Sequence, residues 1–182
     1  MPDCTGTALA SVASADKVAG LPSRAGCAYT FVMSDHHTHI AWQRHTPDFT
    51  YESYDRNHLV KYGGGTEQRL SGAPEFRGDP ALPNPEEMLV AALSSCHMLT
   101  FLAVAARKRR VIESYEDGAT GVLEKNAAGR YAITRVTLRP RVRFAGADAP
   151  SAEELAKLHA TAHRDCFIAN SANVAMTIEP QD

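Results

Sequence analysis

Two cysteines stand in settings that could carry redox chemistry. Cys96 lies in Ser94-Ser95-Cys96-His97-Met98, and Cys166 lies seventy residues on, in His163-Arg164-Asp165-Cys166-Phe167. Cys96 falls within an apolar helical run, where a thiol packs as a small hydrophobe and stays inert unless something activates it. Cys166 falls at a helix end among polar and partly basic neighbours, with Asn170 and Ser171 just beyond. That setting suits an accessible thiol with a lowered pKa. A metal reading competes. His159, His163 and Cys166 have i, i+4, i+7 spacing on one helix face, and Cys96 could supply a fourth zinc ligand. The lack of a Cys-x-x-Cys pair weighs against it. His36, His37 and His39 read as a solvated strand entry, and Cys4 and Cys27 lie in a weakly patterned N-terminal segment.

The elements around the thiols can be read from periodicity and punctuation. Asn84-Pro85-Glu86-Glu87 is a helix start: Asn84 caps free N–H groups, Pro85 sits where its missing N–H is harmless, and Glu87 can close a capping box. The helix runs to about Arg110, roughly 35 Å. Its middle, Met88–Leu93, is apolar almost all round, which predicts a helix surrounded by protein. The closing run Arg107-Lys108-Arg109-Arg110 complements the helix dipole. Before this helix, His39–Arg44, Phe49–Ser53 and Leu59–Tyr62 read as strands, followed by a long irregular loop over 66–83. After it, Ala119–Leu123 and Tyr131–Phe144 read as a hairpin with a bulge near Arg135. A helix capped by Ser151 runs to about Cys166, and Val174–Ile178 is a last strand. Strands, long helix, strands, helix, strand define an α+β class.

Composition narrows the function classes. The chain has 182 residues, 44% hydrophobic and 22% charged, with 19 basic against 21 acidic residues and a net charge of −2. That is one globular domain, and no basic surplus draws it to nucleic acid or an anionic membrane. The stretch Met88–Ala106 is long enough to span a bilayer, but its Ser, His and Thr interruptions favour a core helix. Residues 1–35 read as a disordered N-terminal extension, with Met33 as an alternative true start, and 36–182 as the domain. The extension carries no basic n-region followed by an apolar core, so the expected compartment is the cytoplasm.

These residues resemble the OsmC/Ohr family, the osmotically inducible protein C and organic hydroperoxide resistance proteins. The resemblance rests on Asn84-Pro85-Glu86-Glu87, a run of small and apolar residues, and Ser95-Cys96 with Glu86 ten residues before the cysteine. The second cysteine follows in Ala162–Ser171, and the likeness covers about residues 38–180. It implies an OsmC-like fold, with antiparallel strands around a long buried central helix in an intertwined homodimer. It also implies thiol peroxidase activity on an organic hydroperoxide. Cys96 would be the peroxidatic thiolate and Cys166 the resolving thiol. No bound cofactor is implied, only an external dithiol reductant. An arginine from the N-terminal strands would hold the thiolate, Arg56 first and Arg44 second, oriented by Glu86. The residues after each cysteine depart from the best-characterised organic hydroperoxide members, which leaves the preferred peroxide and the reductant open.

Helix geometry adds one expectation. Ten residues along a helix is roughly 15 Å, so Glu86 cannot touch Cys96 of its own chain and would have to serve the thiol of a second subunit. Leu93, Met98 and Phe101 suit a greasy peroxide. The competing reading is a non-catalytic small-molecule or metal-binding protein on the same fold, its thiols structural or part of a His159/His163/Cys166 site.

Overall fold

The computed structural model describes residues 34–146 and 149–181, nearly all of them in the compact unit His36–Asp182. All but the last residues of the expected N-terminal extension, and Met33, lie outside the described residues.

Strands β1 (Thr38–Ala41), β2 (His58–Tyr62) and β3 (Glu67–Leu70) form an antiparallel sheet in the order β1-β2-β3. The long helix α1 spans Pro85–Arg107 with the expected capping box: Glu87 N–H donates to Asn84 Oδ1 at 2.9 Å and Asn84 N–H to Glu87 Oε2 at 3.2 Å. Then come β4 (Ile112–Asp117), β5 (Thr120–Lys125), β6 (Tyr131–Leu138) and β7 (Pro140–Phe144). Helix α2 (Ala152–Asp165) carries its own capping box from Ser151, and α3 (Phe167–Ser171) and β8 (Ala175–Ile178) close the fold. β4 pairs with β7, and β5-β6-β8 form a third sheet.

Several elements differ from the sequence reading, each for a local reason. Phe49–Ser53 is a turn, because Ser53 N–H reaches Thr50 O and Ser53 Oγ accepts Thr50 N–H. The loop after Gly65 contains β3, held by pairing to β2, and a 3-10 turn at Pro74–Phe76. The expected strand Tyr131–Phe144 is two strands, because β6 and β7 pair in different sheets on either side of Arg139. The bulge is present: Val122 faces Arg135 while Leu123 faces Ile133, so Thr134 is the extra residue. The strands are not all antiparallel. β8 lies parallel to β6, because the chain returns through α2 and α3 before it pairs.

Helix α1 organises the core in two halves. Leu93 packs with Val136 and Leu138 of β6, whereas Phe101, Val104 and Ala105 pack with Leu158 and Ala162 of α2. Burial is confined to one side of the helix. Ala91, Ala92, Ser95, Ala103 and Ala106 are exposed and Leu99 is 60% exposed, so a single chain does not surround α1 as the sequence predicted.

Candidate active site

Cys96 and Cys166 meet at the junction of the two core halves. Their sulfurs lie 2.8 Å apart, although seventy residues separate them in sequence. That is closer than two unbonded sulfurs normally rest, and the S–S bond itself is about 2.05 Å. Each sulfur also faces the chain after α2. Ile168 N–H points at Cys96 Sγ (3.5 Å) and Ala169 N–H at Cys166 Sγ (3.4 Å). Cys166 occupies the extended residue that ends α2 and starts α3, with φ −74° and ψ 115°. The break between the helices is what turns its side chain back towards α1.

The two environments are the reverse of the sequence reading. Cys166, expected to be accessible with a lowered pKa, is fully buried, and burial together with the neighbouring Cys96 thiol pushes it up to about 11. Cys96, read as a candidate for inert burial, is the partly exposed one. It opens on a cleft of about 600 Å³ between α1 and α3, walled by Leu99, Ala103, Phe167 and Ile168, with Arg107 and Asp165 also lining it. A greasy reactant therefore has a lining, but not the one expected. Leu93 and Phe101 point into the core, and Met98 lines a different groove, shared with Ser94 and Tyr115.

A second polar feature lies directly behind the thiols. His97, the residue after Cys96, is fully buried, and its Nε2 is 3.1 Å from Nδ1 of the buried His159. The rings are within 7° of parallel, and His159 also stacks on Phe101 at 4.4 Å. Burial lowers both imidazoles to about 4. The neighbouring His163 pushes His97 further down, Asp117 opposes that, and His97 presses on His159. Among the described residues no three His, Cys, Asp or Glu side chains come together as a metal site. Of the three residues the zinc reading grouped, His159 has its Nδ1 turned to His97.

Arg56, Arg44 and Glu86 do not line the Cys96 cleft of their own chain. Arg44 is at the surface, bonded to Pro47 O. Arg56 donates to Tyr54 O (2.6 Å) and Tyr51 O (2.5 Å) and stacks on the Tyr54 ring at 3.8 Å, while its Nε is buried with no partner. It lines another cleft, with Trp42, Phe49, Tyr54, His58 and Pro85. Pro85 is the first residue of α1, so Arg56 and Glu86 belong to the same end of that helix. Glu86 Oε2 is likewise buried without a hydrogen-bond partner.

The fold and this site define an α+β protein built round a dithiol pair. The profile described as OsmC-like protein matches residues 78–181, and the chain belongs to that family. An OsmC-like protein of unknown function from Vibrio cholerae is 42% identical, covering 82% of this chain and all of that one, with a TM-score of 0.79. An organic hydroperoxide resistance protein from Legionella pneumophila (18% identity, 83% and 99% covered, TM-score 0.64) shares the fold. So does that of Bacillus subtilis (17%, 81% and 98%, TM-score 0.57). No curated protein matches the chain.

Proposed function

We propose that this chain is a thiol peroxidase that reduces organic hydroperoxides through Cys96 and Cys166, in oxidative-stress defence. The observation that carries the reading is the 2.8 Å separation of the two sulfurs, one opening on an apolar cleft and the other buried behind it. The organic hydroperoxide resistance relatives support the substrate class.

The cycle balances with these groups. Cys96 thiolate attacks one peroxide oxygen. The O–O bond breaks, the alkoxide leaves and takes a proton as alcohol, and Cys96 becomes a sulfenic acid. Cys166 sulfur then attacks Cys96 sulfur, and its proton leaves with the hydroxyl as water. An external dithiol restores both thiols by exchange and is itself oxidised. A buried Cys166, reluctant to ionise, is suited to wait for the sulfenic acid rather than to meet peroxide itself. Such a cycle needs a compartment that supplies reducing dithiols, which points to the cytoplasm.

Activation of Cys96 needs a cation, and its own chain offers Arg107 eleven residues away, roughly 16 Å along the helix. Arg56 and Glu86 fit the task if they come from a partner. Two α1 helices crossing antiparallel midway between 86 and 96, at Ala91 and Ala92, would bring Glu86 and the Arg56 cleft of one chain towards Cys96 of the other. The crossing residues are exposed and small, which permits close approach, and the stripe continuing through Leu99 is apolar. The working unit is therefore a homodimer.

The test is the intact mass under non-reducing conditions after one equivalent of cumene hydroperoxide. The expected product has lost two hydrogens and yields a Cys96–Cys166 crosslinked peptide. Cys166→Ser should stop at the Cys96 sulfenic acid and go on to the sulfinic acid only with further equivalents of peroxide, and Cys96→Ser should not change. Core thiols left unaltered by the peroxide would refute the reading.

A further inference from the structure

The α1–α2 interface near the thiols is mostly apolar: Phe101, Val104 and Ala105 against Leu158 and Ala162. Apolar contacts hold helices together but resist a small slide only weakly, whereas forming an S–S bond demands a narrow range of distances and angles. The same two helices carry a directional contact beside the sulfurs. His97 follows Cys96 on α1, and His159 lies seven residues, about two turns, before Cys166 on α2. The imidazole nitrogens face each other at 3.1 Å, out of water. One ring carries the hydrogen and the other accepts it, so the contact fixes a register as well as a distance. The second nitrogens, His97 Nδ1 and His159 Nε2, are buried without partners, and a pair kept at that cost must be held by its surroundings.

We propose that His97 and His159 are positioning residues for the dithiol: their buried hydrogen bond sets the α1–α2 register at which Cys96 and Cys166 can close a disulfide. This rests on the reading that the two thiols form such a bond, but not on what oxidises them. Coupling runs both ways, so closing the disulfide must in turn alter the environment of the two imidazoles.

The experiment therefore avoids peroxide. Full-length protein is equilibrated in glutathione buffers at pH 7, where oxidised glutathione forms the Cys96–Cys166 bond and releases two reduced glutathiones. The disulfide fraction is read by mass after alkylation. Two variants separate the hydrogen bond from packing. His159→Phe keeps a ring against Phe101 but cannot bond His97. His159→Asn loses the ring and offers an amide oxygen near the position of Nδ1. The expected result is a fall of about tenfold in the disulfide equilibrium constant for His159→Phe, about 30 mV, with His159→Asn recovering most of it. A merely structural role predicts the opposite order, and a wild-type constant in His159→Phe overturns the proposal. Should either variant fail to fold, the imidazole ¹⁵N resonances of His97 and His159 in the wild type decide. They must shift between dithiol and disulfide forms, and identical resonances overturn the proposal. If glutathione closes the bond with this histidine dependence while peroxide does not, the inference stands and the peroxidase reading falls.

Discussion

The imidazoles behind the thiols make an acid-sensitive fold at the scale of single residues. His97 and His159 are lowered from 6.5 to about 4 in the folded chain, chiefly by burial. Between those values the unfolded chain binds protons that the folded chain refuses, so stability falls as pH drops from about 6.5 towards 4 and is unaffected above that window. The groups facing the pair do not reverse the sign. His163 on α2 pushes His97 the same way, Asp117 on β4 opposes only in part, and Tyr115, also on β4, stays neutral here. The urea midpoint should therefore begin to fall below about pH 6.5, earlier than carboxylate titration near pH 4 would bring it down. A midpoint flat from pH 7 to pH 5 would show that the pair is not kept neutral by burial. At this scale the sequence was a partial guide. The two cysteines could be found from the company they keep. Which one is exposed could not, because that depends on the break between α2 and α3, and a sequence reader sees one helix end there. His97 and His159 were each visible, but their meeting is a tertiary fact sixty-two residues apart.

The elements that position the site were legible where a local chemical rule sets them. Asn84 and Ser151 announced both long helices because a capping box is complete within four residues. Strands β1 and β2 were legible as His39–Arg44 and Leu59–Tyr62, but β3 and the split of β6 from β7 were not, since sheet membership is chosen by distant partners. The segment after β3 shows what the apparent loop does. Gly72 and Gly78 cross so closely that a Cβ built on Gly78 would fall on the Gly72 carbonyl, and Ser71 Oγ accepts Asp79 N–H at 2.9 Å across the same crossing. Ser71 and Gly72 also line the Arg56 cleft, and Ser71 N–H reaches Pro83 O beside the Asn84 cap. The loop thus fastens the N-terminal sheet to the start of α1. Gly78→Ala should force the crossing apart and lower stability by about 1–3 kcal/mol, as overpacking does. The urea midpoint measures it, and a wild-type midpoint would mean that the crossing yields freely.

At the scale of the whole molecule, the dithiol is complete in one chain while the expected activating groups are not. Cys96 and Cys166 already touch, whereas Arg56 and Glu86 sit at the far end of α1, each with a buried atom lacking a hydrogen-bond partner. In the proposed homodimer a second copy would dock on the exposed side of α1 at Ala91, Ala92 and Leu99. A composite site makes a prediction that no single-chain site can imitate. Cys96→Ser lacks the nucleophile but keeps Arg56, and Arg56→Ala keeps the nucleophile but lacks the cation, so each homodimer should be inactive on cumene hydroperoxide. Unfolded together and refolded, half the dimers are mixed. In each of these, one site unites an intact Cys96 with an intact Arg56, so about a quarter of wild-type activity should return under two-fold symmetry. If Arg56 served the thiol of its own chain, mixing would restore nothing. If Arg56 had no part in the chemistry, Arg56→Ala alone would be active before any mixing.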